Sequence, residues 1–244
     1  MSPSWSEARR AARWLAGLLL LLSTAAAWTE PVTDGFEGES LGPLWNLRYV
    51  NPGRVTIQPD RVHSGAAALR IEVREGDVAM VGSDGVPSER TELQESDGLH
   101  PRFGETHEYA FSMLVPPDFP VADTRLVTAQ WHQRCFCSPV VAQRYRRGVL
   151  TVTIETPAGR TTVYQHPQPI QGRWVDLRYR IRFGWTDGAV AVWLDGAPVV
   201  DYRGPLGYPA EPPEVDFRFG LYRDRMPTPM VIYFDDYRKE RLAP

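Results

Sequence analysis

The chain has 244 residues, 43% of them hydrophobic and 23% charged, with a formal net charge of −3. A mildly acidic protein gains nothing from its overall field on nucleic acid or another polyanion, so no nucleic-acid partner is expected and any anionic ligand must be held by a local cluster of cations. Two cysteines alone do not make a zinc site.

The N-terminal stretch carries Arg9, Arg10 and Arg13, then an apolar run from Trp14 to Leu22, then Ala25, Ala26 and Ala27. This is the order of regions in a secretory signal peptide, and the run falls short of the ~20 residues that a membrane span needs. The expected division is a signal peptide at 1–27 and one domain at 28–244, secreted or periplasmic, with no membrane partner after cleavage. A retained N-terminal anchor is the alternative. Removing residues 1–27 takes away three arginines and Glu7, leaving a net charge of −5.

Strand-like alternation then recurs to the end of the chain. "HSGAAALRIEV" (63–73) is the first clear strand. In "SERTELQES" (88–96), Arg90, Glu92 and Gln94 share one face while Thr91 and Leu93 share the other. "HEYAFSMLV" (107–115) follows. "LVTAQWH" (126–132) divides Val127, Ala129 and Trp131 from Thr128, Gln130 and His132. Cys135 and Cys137 come next; an extended i, i+2 pair lies about 7 Å apart, so a disulfide there requires a turn. A small local disulfide or two free thiols are both open, with no catalytic role.

"GVLTVTIET" (148–156) and "TTVYQH" (161–166) are further strands. "RWVDLRYRIRF" is the clearest, with Val175, Leu177, Tyr179, Ile181 and Phe183 on one face. "AVAVWLDGAPVVDY" is a hairpin turning at Asp195-Gly196. "GYPAEPPEVD" is a surface loop. In "VDFRFGLYRD", Phe217, Phe219 and Leu221 face a core, leaving Asp216, Arg218 and Tyr222 outward, and "MVIYFDDYRKE" closes the chain. Many short strands, 22 prolines, 20 glycines and no helical period imply an all-β, two-sheet antiparallel sandwich.

Three strands thus combine an apolar face with a face of reactive or ion-binding groups; if they are neighbours, those faces form one groove floor. Each residue alone also has a structural reading: a packed histidine, a surface arginine, or Arg90 paired with Glu92. Together and in order, "RTELQ", "QWH" and "RFGLYRD" resemble the jelly-roll polysaccharide lyases with a concanavalin A-like sandwich, namely alginate, glucuronan and heparin lyases. The resemblance implies that Arg90 and Gln130 neutralise a uronate carboxylate and that His132 and Tyr222 exchange protons. It also implies substrate contacts from Glu92, Gln94, Arg218 and Arg223, and an anionic polysaccharide as the partner. The chain departs from the alginate-lyase pattern at Gln94, Trp131 and Arg223-Asp224, which turns the expectation toward glucuronan-type or heparin-lyase-like relatives.

Elimination needs no catalytic metal by this scheme. Asp34, Glu37, Asp235 and Asp236 are candidate ligands for a structural calcium, against the alternative that the paired aspartates bind Arg238 or cap the last strand. Two other functions compete. A glycoside hydrolase needs two carboxylates about 5 to 9.5 Å apart, and "EVDFRF" has Phe219 where the second glutamate would stand. A non-catalytic carbohydrate-binding module needs exposed aromatic platforms and no His/Tyr pair.

Overall fold

The alternation resolves into two stacked sheets in a computed structural model that describes residues 30–81, 87–209 and 211–243; the segment 1–27, expected to be a signal peptide, lies outside the described residues. In chain order the described strands are β1 (Val32–Asp34), β2 (Trp45–Tyr49), β3 (Val55–Gln58), β4 (Ala68–Val73), β5 (Val78–Val81), β6 (Pro87–Glu95), β7 (Thr106–Leu114) and β8 (Leu126–Gln133). They continue with β9 (Val141–Arg146), β10 (Val149–Thr156), β11 (Gly159–Gln165), β12 (Trp174–Arg182), β13 (Gly188–Leu194), β14 (Ala197–Gly204), β15 (Val215–Asp224) and β16 (Met230–Leu242). One sheet runs β14-β13-β12-β7-β16-β4-β3, with β1 on β16; the other runs β11-β10-β9-β8-β15-β6-β2, with β5 on β6. All pairings are antiparallel, and strands distant in sequence lie side by side, as a jelly roll requires.

The core between the sheets is aromatic. Trp131 is fully buried and packs on Tyr179, Phe217 and Tyr109 with ring centroids 4.6, 5.0 and 5.3 Å apart, and Phe219 packs on Phe234 at 4.5 Å. Burying each large apolar side chain contributes about 1.5–3 kcal/mol. The inward residues of β12 and the Asp195-Gly196 turn, both at positive φ, form as the pattern predicts. A polar network also crosses the core: Lys239 donates to Glu95 (2.6 Å), which accepts from the Tyr237 hydroxyl as well.

Of the register shifts in the second sheet, two fall on its middle strands β15 and β8. Between Phe219 and Tyr222, β15 carries one residue more than β8; between Val127 and Ala129, β8 carries one more than β9. Bulges bend a strand and increase its twist. The β8 bulge also overturns part of the simple parity. Thr128, expected outward, accepts a hydrogen bond from Gln143 (2.9 Å) on the core side, and Val127 instead joins Tyr222 and Ala142 in an apolar cluster separate from the main core.

Candidate active site

β6, β15 and β8 are adjacent, so the three polar faces do form one floor. Register fixes two rows across it. Arg90, Tyr222, Val127, Arg144 and Thr151 are successive cross-strand partners, and so are Gln94, Arg218, Gln130, Ala142 and Thr153. Asp216 and His132 are paired further along.

Gly220 lies in the β15 bulge and is the cross-strand partner of Glu92. It adopts φ +140, which side-chain-bearing residues rarely do, and a Cβ there would stand 2.2 Å from the Thr91 carbonyl oxygen. Glu92 reaches across β15 and accepts a hydrogen bond from the Gln130 amide (2.5 Å). The other oxygen of Glu92 faces Arg90 at 3.5 Å. Glu92 is 1% exposed, so a single buried carboxylate orients both the amide and the guanidinium. Arg90 in turn lies over the Tyr222 ring, 3.8 Å from its centroid, and Arg125 lies 5.1 Å from the same ring. A guanidinium over a phenol ring stabilises negative charge developing there.

His132 stands apart from this group. Its Nε2 donates to the Cys137 carbonyl (2.9 Å), and because a carbonyl only accepts, Nε2 carries the proton and Nδ1 the lone pair. That Nδ1 is buried with no hydrogen-bond partner. Burial, reinforced by the nearby Arg218 charge, pushes the imidazole down to about 4, so it is neutral at neutral pH. Cys135 and Cys137 form a disulfide with Cα atoms 5.3 Å apart, so the local bridge, rather than free thiols, holds the loop that fixes His132. Arg218 makes a forked pair with Asp216 (2.6 and 2.9 Å) beside it. Gln94 is buried next to Arg218, its carbonyl oxygen without a hydrogen-bond partner.

Arg223 requires a correction. Expected to touch substrate, it is fully buried on the opposite face of β15. Its fork engages Glu89 (Nε 2.9 Å), and it donates to the carbonyls of Met226 and Thr228. It has the inward parity of Leu221 and meets its own cross-strand partner, Glu89, so it braces the turn after β15 and contributes nothing to the groove.

The carboxylates considered for calcium are occupied by donors. Asp235 accepts from the backbone N–H groups of His63, Ser64 and Asp236 (2.9, 3.1 and 2.8 Å); Asp236 binds His63 and Ser64; Asp34 takes Phe36 N and Trp45 Nε1 (both 2.8 Å); Glu37 takes Ala66 N (2.9 Å). No group of three or more His, Cys, Asp or Glu side chains that could hold a metal ion converges among the described residues.

The sequence reading missed Arg125 and Arg144. Arg144 lies on β9 directly opposite Val127, and its Nε donates to Thr153 (3.1 Å). The available signal was the alternation in "VAQRYR", where Val141, Gln143 and Tyr145 point inward and Ala142, Arg144 and Arg146 outward.

The sequence model of the Polysaccharide lyase family matches residues 26–238. The chain belongs to this family and is a polysaccharide lyase. Its structure is similar to that of the endo-β-1,4-glucuronan lyase of the fungus Trichoderma reesei, with 16% identity over 88% of this chain and 96% of that one and a TM-score of 0.65. It also resembles a family 7 alginate lyase (14% identity, 80% of this chain and 86% of that one, TM-score 0.60). A third likeness is to the catalytic domain of a GH131 β-glucanase from Podospora anserina (13%, 87% and 93%, TM-score 0.61). At such identities the likeness is one of fold, and a hydrolase shares it. No curated protein matches the chain in sequence.

Proposed function

We propose that this lyase cleaves a 4-linked uronic-acid polysaccharide, glucuronan-like or a related polyuronate, by β-elimination. The observation that carries the reading is the continuous set Gln130–Glu92–Arg90–Tyr222, in which an amide and a guanidinium share one buried carboxylate and the guanidinium covers a phenol. The proton at C5 of a uronate is weakly acidic until its carboxylate is neutralised. Arg90 and Gln130 supply that neutralisation and stabilise the enediolate-like charge of the transition state.

A base then removes the C5 proton, the electron pair forms the C4–C5 double bond, and O4 leaves with a proton. Where the C5 proton and O4 lie on the same side of the ring, Tyr222 performs both transfers. For the other epimer at C5, neutral His132 takes the proton through Nδ1 and Tyr222 protonates O4. The leader-like residues 1–27 support a secreted or periplasmic enzyme, the compartment in which an extracellular polymer is met.

The test is a panel of uronic-acid polysaccharides followed by the ultraviolet absorbance of the unsaturated product, with Tyr222→Phe and His132→Ala alongside. Absorbance should rise on one substrate class and vanish in Tyr222→Phe. No rise on any substrate, with binding intact in both variants, would make the groove a carbohydrate-binding site without elimination.

A further inference from the structure

The arginines bordering the groove are matched to carboxylates with one exception. Arg90 faces Glu92, Arg125 holds Asp224 (2.7 Å), Arg218 holds Asp216 and Arg160 holds Glu155 (3.0 Å). Arg144 has no carboxylate within ion-pair distance among the described residues; its contact is the neutral Thr153 hydroxyl. A largely enclosed guanidinium without a direct ion pair is costly. Enclosure, with Arg160 and Arg125 nearby and against the opposing pull of Glu155 and Tyr222, pushes its pKa down to about 10, so it still carries its charge at neutral pH. Its position is equally specific. It lies in the same row as Tyr222, with only the short Val127 side chain between them. At the ordinary strand spacing its Cα stands roughly 10 Å from that of Tyr222.

We infer that Arg144 binds the carboxylate of the uronate next to the one that reacts at Tyr222, so that the enzyme selects runs of consecutive uronates over polymers in which uronates alternate with neutral sugars. This rests on the proposed polyuronate reading. It deepens that reading by assigning the second anion of the substrate. Arg90 and Gln130 engage the reacting carboxylate, and Arg144 supplies a charge-assisted fork one ring away.

The experiment separates this inference from the reading beneath it. Binding of a homogeneous oligouronate is measured by calorimetry on Tyr222→Phe and on the Tyr222→Phe/Arg144→Ala double variant, with thermal unfolding of both. Loss of one charge-assisted interaction should raise Kd about 10- to 100-fold with little change in melting temperature, and Arg144→Lys should recover part of it. In the otherwise native enzyme, Arg144→Ala should raise KM far more than it lowers kcat on a homopolyuronate. It should also remove most of the preference over an alternating uronate polymer. Equal Kd in the two Tyr222→Phe proteins, or an Arg144→Ala penalty of the same size on both polymers, would overturn the inference. Failure of the polyuronate reading would show instead as no elimination by the native enzyme on any substrate, which these binding comparisons do not depend on.

Discussion

Replacing Arg223 by methionine separates a structural arginine from a substrate-binding one. Arg223 and Glu89 are both 0% exposed, joined by contacts of 2.9 and 2.8 Å, and Arg223 also satisfies the Met226 and Thr228 carbonyls. Removing one partner of a buried pair leaves the other charge uncompensated, at about 3–5 kcal/mol. For a protein of this size each kcal/mol lowers the melting temperature by about 2–4 °C, so a fall of about 6–20 °C is expected. Scanning calorimetry measures it, and KM of the folded fraction should stay within about twofold. The double variant Arg223→Met/Glu89→Met should recover much of the loss, because an apolar pair of similar volume often substitutes for a buried ion pair without penalty. An unchanged melting temperature with a much higher KM would refute the structural assignment and return Arg223 to the groove.

Three further outcomes follow from the site and its frame. Burial holds His132 and His107 at about 4, below the ordinary 6.5. Their contribution is therefore complete above pH ~6.5 and lost as pH falls toward ~4, up to about 3 kcal/mol each; urea midpoints across that window should drop, and less steeply in His132→Gln. Gly220→Ala puts a Cβ against the Thr91 carbonyl at a positive φ. It should lower stability by about 2–4 kcal/mol and, by spoiling the Glu92–Gln130 bond, reduce kcat in whatever fraction folds, as read by unfolding curves beside initial rates. Reducing the Cys135–Cys137 bridge frees the carbonyl that orients His132. Because so short a loop contributes only about 1.6 kcal/mol of chain entropy, activity on a substrate that uses His132 as base should fall more sharply than stability does.

Much of the fold was readable because half-buried strands announce themselves by alternation. The groove strands β6, β8 and β15 did so clearly, and their adjacency follows from a topology that sequence does not display. β9 stayed hidden because its inward residue is Gln143, a polar group that looks like surface until the interior partners Tyr179 (2.6 Å) and Thr128 are seen. Arg144 was lost with it. The bulge at Val127 defeated strict parity by turning Thr128 inward. Arg223 was misplaced for a different reason. Its parity matched the core, but a charged side chain there makes sense only once Glu89, also inward, stands opposite it across β15 and β6. Gly220 was part of the motif from the outset, yet the close approach of its backbone to Thr91 and Glu92 required the register.

The central claim is elimination rather than hydrolysis on a fold that a β-glucanase shares, and the mass balance of the products tests it most directly. The purified protein is incubated with a defined oligouronate in heavy-oxygen water, and the fragments are weighed by mass spectrometry. The account predicts two fragments whose masses sum to that of the substrate, one bearing the unsaturated ring, with no heavy oxygen incorporated. Fragments that together exceed the substrate by one water, with the label at the new reducing end, would contradict it.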